Sequence, residues 1–295
     1  MKYPKIIPEL DFSSSNQTLI NKSSLKYWLL STFFYSRIEK DYLIYLKLKN
    51  GKLHYMPLFT ITKALACFNE DRLADFFFIA EKLIDSMDEY GWLHNNLLQL
   101  PGYPQKKISY SALINARGLG VLIRYYKMKP SKTLLYKIEK VLDSFFILSS
   151  NGGVLSSEGY YLEYSWGNSC PVVWNGFMSA LIGLHDCFMY GPKELKTKSK
   201  ELFDKGLQKL INKQNELFWE GFGLKWIRYD NKKLYFADGP YMTIEIRQLN
   251  YLSQVEPKLK NCLSRIKKIK NKNQRRANIY EYYYFLKKRL LLLRK

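Results

Sequence analysis

At 295 residues the chain can hold one large domain or two ordinary ones, and it is long enough to close a core without disulfides or metal. Its four cysteines (Cys67, Cys170, Cys187, Cys262) show no Cys-x-x-Cys spacing and its three histidines (His54, His94, His185) are scattered, which argues against a zinc site. The net charge of +21 is uneven: Pro257 to Lys295 carries 14 Lys or Arg against one acid, Glu281, which leaves a net of +8 for the other 256 residues.

From Met1 to Leu30, Lys, Glu, Asp, Asn and Ser interrupt the apolar residues before a secretory core forms, and no apolar run is long enough to span a bilayer. The expectation is a reduced, cytoplasmic location. Next, Asp41 to Leu48 and Lys52 to Leu58 flank Asn50-Gly51, a pair suited to a type I′ hairpin turn. Four helix pairs follow: Thr60 to Phe68 with Arg72 to Met87, Ser111 to Lys127 with Lys132 to Leu148, Asn175 to Tyr190 with Glu194 to Lys213, and Tyr241 to Gln254 with Lys258 to Ile269. Between Lys132 and Leu148, after the start signal Pro130-Ser131, the residues Leu134, Ile138, Val141, Leu142, Phe145 and Leu148 form one apolar face. Asn151-Gly152-Gly153 breaks that helix, and Val154 to Tyr164 is predicted as strand. Leu217 to Phe236, aromatic and β-branched, is predicted as a second strand region turning at Asp230-Asn231.

The predicted fold class is mainly α, an incomplete α/α toroid of helical hairpins with short β-hairpin excursions; a packed helical bundle fits the same periodicity. The expected organisation is an N-terminal segment over residues 1–57, a helical body over 58–270 and a basic tail over 271–295.

The stretch with most chemical content is Glu163-Tyr164, a short loop, and a helix opening at Trp174-Asn175-Gly176-Phe177-Met178 and running through Leu181-Ile182-Gly183-Leu184-His185-Asp186. Phe177, Leu181, Leu184 and Phe188 make an ordinary buried stripe, and Gly176, Ser179, Ala180 and Gly183 allow close approach of a second helix. The stretch resembles the C-terminal catalytic domain of the D-glucuronyl C5-epimerases, which carries a Glu-Tyr pair, a loop, and a helix reading Asn-Gly-Phe-Met-x-x-Leu-Ile-Gly-Leu-x-Asp. Upstream, Tyr110-Ser111-Ala112 with Asn115, Arg117 and Leu122-Ile123-Arg124-Tyr125-Tyr126 is similar to the family's Tyr-Ser-Ala segment and the helix after it. Downstream, Tyr241-Met-Thr-Ile-Glu-Ile-Arg-Gln-Leu249 matches the frame that opens with the family's last tyrosine. The resemblance covers residues 108–270 and extends more weakly from about residue 58.

C5 epimerisation removes a weakly acidic hydrogen beside a carboxylate and returns a proton to the opposite ring face. It needs an acid and a base on opposite faces and a cation or hydrogen-bond donors for the enolate-like intermediate. The resemblance implies Glu163, Tyr164, Tyr229 and Tyr241 as catalytic residues, with Tyr229-Asp230 matching the family's Tyr-Asp step. It implies Asn175, Arg117, Arg228, Lys232, Arg247 and Tyr110 as substrate-binding residues. The family's arginine after the second tyrosine corresponds to Lys232, or to Arg228 if the register slides by four and puts Lys225 in the tyrosine's place. Met242 and Glu245 stand where the family has histidines. Asn175 also fits a plain helix N-cap.

By the same resemblance the expected reaction converts D-glucuronic to L-iduronic acid residues in an acidic polysaccharide or lipid-linked oligosaccharide, with no metal and no cofactor. Helical toroids also host polysaccharide lyases and unsaturated-uronyl hydrolases, and a non-catalytic polyanion-binding protein fits the charge. In the tail, Lys267, Lys268, Lys270, Lys272 and Arg275 are followed by Tyr280 to Phe285 and the apolar run Leu290 to Leu293. That order favours an anionic membrane surface, at the inner face of the membrane, over nucleic acid; capture of the acidic polymer and simple docking of a terminal helix fit as well. An oligomer is left open.

Overall fold

In the computed structural model, which describes residues 35–48, 50–95, 108–167, 170–221, 224–232, 237 and 239–271, the chain opens with a three-stranded antiparallel meander. Its strands are β1 (Tyr35–Lys40), β2 (Leu43–Leu48) and β3 (Leu53–Tyr55). The expected hairpin is present, but the tight turn is not at Asn50-Gly51. Lys40 pairs with Leu43, so Asp41-Tyr42 is a two-residue loop with φ of 51° and 65°, the double positive φ of a type I′ turn. Lys47 pairs with Leu53, which makes the loop through Asn50-Gly51 too wide for that turn type; Asn50 Oδ1 instead accepts from the Lys52 N–H at 3.0 Å. Residues 1–34 and the predicted tail from 272 lie outside the described residues.

Eight α-helices follow among the described residues: α1 (Pro57–Asn69), α2 (Leu73–Asp85), α3 (Ala112–Met128), α4 (Lys132–Asp143), α5 (Trp174–Tyr190), α6 (Lys196–Lys213), α7 (Gly239–Val255) and α8 over 260–271. Their starts have ordinary local causes. Pro57 occupies the first turn of α1, and Ser111 and Ser131 cap α3 and α4 by accepting from the Ile114 and Leu134 N–H groups.

The helices form an inner row and an outer one. α1 packs on α3, α3 on α5 and α5 on α7, while α2, α4 and α6 back onto α1, α3 and α5. Among the described residues α1 and α7 share no comparable packing, so the arrangement is compatible with an open α/α toroid. The inner position explains a difference from the periodicity: α3 is buried at every residue from Ala112 to Tyr125 and α5 at every residue from Trp174 to Cys187, not along one stripe. Helices buried all round have neighbours on every side. In α4 only one face, with Leu134, Ile138, Val141 and Leu142, is buried.

The small residues of α5 act as expected. A Cβ on Gly183 would lie 2.3 Å from the Ala116 carbonyl oxygen, so α3 and α5 meet backbone to backbone. One turn on, Arg124 of α3 and Asp186 of α5 form a two-pronged ion pair, Nη1 to Oδ2 at 2.6 Å and Nη2 to Oδ1 at 3.0 Å, with neither side chain exposed.

Other expectations shift. α4 ends at Asp143, where the Ser144 hydroxyl turns back to donate to the Val141 carbonyl at 2.6 Å; Phe145 stays buried but Leu148 is exposed. Val154 to Tyr164 is not a strand. It makes only isolated bridges, Leu155 with Leu148 and with Tyr161, because no continuous partner runs beside it. The strands β6 (Phe218–Gly221) and β7 (Leu224–Ile227) pair with Gly221 opposite Leu224, and Asp230-Asn231 lies in a bend beyond β7, where Asp230 Oδ1 accepts from the Lys232 N–H at 2.9 Å. A further hairpin, β4 (Leu93–Asn95) with β5 (Ile108–Tyr110), has no counterpart in the sequence reading.

Candidate active site

The Glu163-Tyr164 pair is held between two anchors. On one side the Leu162 carbonyl accepts from the Ala112 N–H at 2.9 Å and the Leu162 N–H donates to Val154; on the other, the Ser165 hydroxyl donates to the Tyr110 carbonyl at 2.6 Å. The pair is thereby fixed at the entrance of α3. Across from it, the segment after β7 is strapped to the entrance of α5. The Trp174 N–H donates to the Tyr229 carbonyl at 3.1 Å, Val173 bridges Asp230, and Asn231 exchanges two hydrogen bonds with Val172 through its N–H and its Oδ1. The residues predicted as a turn therefore position Tyr229. Tyr241 comes from the first turn of α7, which is tied to α5 by Gln248 Nε2 donating at 2.8 Å to both the Asn175 carbonyl and the Ser179 hydroxyl.

These straps bring four predicted catalytic residues together. Glu163, Tyr229 and Tyr241 all act electrostatically on the Tyr164 phenol, Glu163 and Tyr229 from hydrogen-bonding range and Tyr241 through its charge. The rings of Tyr229 and Tyr241 meet edge to face with centroids 5.0 Å apart. Glu163 lies against α5 where only glycine fits: a Cβ on Gly176 would sit 2.4 Å from Glu163 Oε2. That oxygen is buried and has no hydrogen-bond partner.

Burial pushes the Glu163 carboxyl up to about 7, against smaller downward pulls from the Tyr164 hydrogen bond and the Arg117 charge. Burial first, and then the Glu163 charge, holds the Tyr164 phenol well above its ordinary value of 10. At neutral pH the site thus contains a carboxyl poised to gain or lose a proton and a phenol that keeps its proton. Arg117 is buried on α3, with Nη2 3.4 Å from the Ser179 hydroxyl, and supplies positive charge beside Glu163.

The structure separates the remaining candidates. Asn175 lies within the first turn of α5, whose N-cap is Val173, so it is not the N-cap; its buried Oδ1 has no hydrogen-bond partner. Tyr110 turns the other way: its ring packs on Tyr90 and its hydroxyl accepts from the Tyr90 N–H at 3.3 Å, which makes it a support of the turn before β4. Arg228 donates from Nη2 to the Asn231 carbonyl at 2.9 Å, and its buried Nε has no partner. Lys232 and Arg247 are exposed. Lys225 is exposed and ion-paired with Glu220 at 3.1 Å, whereas Tyr229 lies beside Tyr164 and Tyr241.

Four contributors escaped the sequence reading. Ser179 and Gln248 join Arg117 and α7 to the site, although Gln248 falls on one face with Tyr241 and Glu245 at spacings of four and three. Trp166 and His94 flank Tyr164, with ring centroids 5.2 and 6.2 Å away. Gly176→Ala tests the fit of Glu163: helix propensity alone favours the alanine by about 1 kcal/mol, yet the methyl must displace the carboxyl. We expect turnover to fall at least about tenfold while the thermal unfolding midpoint changes little, read by a paired activity and melting measurement.

An ionisable carboxyl beside phenols and a buried guanidinium, set at the starts of the inner helices α3, α5 and α7, is an arrangement suited to acid–base chemistry. Residues 101–273 match the family model described as the D-glucuronyl C5-epimerase C-terminus. The chain belongs to that family, and isomerase chemistry of the epimerase kind is assigned at that level.

Proposed function

We propose that this protein converts D-glucuronic acid to L-iduronic acid residues within an acidic polysaccharide or lipid-linked oligosaccharide. The observation that supports this reading is the continuous run of contacts from Glu163 through Tyr164 and Tyr229 to Tyr241, with Arg117 beside its first member. Glu163 as carboxylate takes the C5 proton, and the electron pair of the broken C–H bond moves into the substrate carboxylate to give an enolate. Arg117 offsets the added negative charge, and the Tyr164 and Tyr229 hydroxyls donate toward it. Tyr241 O–H delivers its proton to C5 from the other face; its phenolate is then reprotonated from water along Tyr229 and Tyr164, and Glu163 releases the proton it took to water. Asn175, with its free Oδ1, binds a sugar hydroxyl, and Arg228 with Lys232 and Arg247 attracts neighbouring acidic groups of the polymer. The test is product analysis: wild-type protein incubated with glucuronate-containing polymers yields iduronate signals by NMR. An unsaturated, ultraviolet-absorbing product would move the assignment to a lyase.

The Glu163 value gives a pH dependence with a definite sign. Below about 7 the carboxyl is protonated and cannot accept the C5 proton, so turnover falls about tenfold per pH unit on the acid side and levels off above neutrality. The stability consequence runs the opposite way. The folded value lies above the ordinary 4.5, so this group's contribution is fully present below 4.5 and is lost as pH rises through about 7. Glu163→Gln, which stays neutral, is expected to gain on the order of 1–3 kcal/mol relative to wild type at pH 8 and little at pH 4, measured by denaturant unfolding at the two pH values.

For the basic stretch we propose attraction of the acidic polymer or an anionic membrane face. Arg265 is committed elsewhere: it packs on the Phe218 ring at 3.8 Å and pairs with Glu220 at 2.6 Å, whereas Lys267 and Lys268 are exposed. Among the described residues no helix is long and apolar enough to cross a membrane.

A further inference from the structure

We propose that His94 is a substrate-binding residue of this site, its Nδ1 forming a hydrogen bond with a sugar hydroxyl of the bound uronate-containing chain. The inference rests on the epimerase reading for the identity of the ligand, but on separate observations for the residue. His94 is the middle residue of β4, outside the 101–273 span of the family match, so the family assignment carries no role for it. It pairs with Ser109 of β5, so the two side chains share one face of the hairpin. On that face the imidazole lies 6.2 Å, centroid to centroid, from the ring of Tyr164.

Its Nδ1 is buried and has no hydrogen-bond partner. A buried polar atom without a partner costs about 1–3 kcal/mol, and native structures keep few of them without a reason. Two more such atoms belong to the same site, Glu163 Oε2 and Asn175 Oδ1. Unfilled polar atoms at His94 and Glu163, both beside Tyr164, are what a polyhydroxylated ligand would satisfy on binding. Burial drops the His94 imidazole to about 4, so it is neutral throughout the working range of Glu163. A neutral ring acts as a directional hydrogen-bonding group for a hydroxyl, not as a second cation competing with Arg117 for the carboxylate.

Two variants separate the nitrogen from the ring. His94→Phe keeps a flat ring beside Tyr164 without a polar atom; His94→Asn keeps a polar atom near the position of Nδ1. Thermal unfolding of each verifies the fold, and the probe is a glucuronate-containing oligosaccharide drawn from a panel, with binding measured by calorimetry and C5 exchange measured separately. For His94→Phe we expect about tenfold weaker binding and a matching rise in KM, with kcat within about threefold of wild type. His94→Asn is expected to stay within about threefold of wild type in both. Wild-type binding retained in His94→Phe overturns the proposal, because only the ring would matter. A fall in kcat at unchanged KM also overturns it. If wild type binds but exchanges no C5 hydrogen, the epimerase reading fails while the binding comparison still decides the role of His94. Absence of both binding and exchange across the panel overturns both.

Discussion

On the proposed reaction, Glu163→Gln and Tyr241→Phe are each expected to lower C5 proton exchange by about 10²–10⁴-fold, the usual range for removal of a positioned acid or base. Both substitutions preserve shape. The glutamine amide keeps the volume beside Gly176 and cannot take a proton from carbon, while the phenylalanine ring keeps the edge-to-face contact with Tyr229 and has no O–H to give. The two differ in what they leave behind: Tyr241→Phe retains the carboxyl titration near 7, and Glu163→Gln removes it. Residual exchange in Tyr241→Phe should therefore keep the acid-side decline with pH, and residual exchange in Glu163→Gln should lose it. A decline within tenfold for both variants would show that neither group transfers the proton. The measurement is initial-rate exchange across pH 5 to 9, on variants verified to stay folded over that range.

Asp186→Ala costs about 3–5 kcal/mol, because it leaves the Arg124 guanidinium uncompensated where water does not reach. That is a large share of the 5–15 kcal/mol, in rough terms, that holds a typical domain folded. The cost is high because the pair joins the inner helices α3 and α5 beside Gly120, whose carbonyl also accepts from Arg124 Nη1 at 2.8 Å. Repulsion-free replacement is expected to recover most of it: Arg124→Met with Asp186→Leu removes both charges together and keeps the volume. Denaturant unfolding of the single and double variants gives the coupling. A loss under about 1 kcal/mol for Asp186→Ala would mean that water enters to solvate Arg124.

The sequence showed the helix pairs because apolar spacing is a local property, and the hairpin of β2 and β3 because its strands are neighbours in the chain. It brought Glu163, Tyr164, Tyr229 and Tyr241 forward as candidates through motif order, since no periodicity singles out one tyrosine among the chain's 24. Distant register was not legible. Arg124 and Asp186 are 62 residues apart and Gln248 and Asn175 are 73 apart, and each side chain alone reads as an ordinary helix residue. His94 sits on a three-residue strand whose partner begins at Ile108, too short for an alternation pattern. Even the type I′ turn went to the commoner signal, Asn-Gly, because Asp41-Tyr42 places a bulky ring at φ 65°, where the ring of Tyr42 packs on Phe78 at 4.6 Å.

The most direct test is incorporation of solvent deuterium. A glucuronate-containing polymer incubated with wild-type protein in deuterated water should gain deuterium at C5 of its uronate residues, seen as loss of the C5 proton signal with iduronate signals appearing in parallel. With Glu163→Gln both should be slowed about 10²–10⁴-fold. Iduronate formed with no deuterium at C5, or no exchange in any glucuronate polymer under conditions where the polymer binds, would contradict proton transfer by Glu163 and Tyr241.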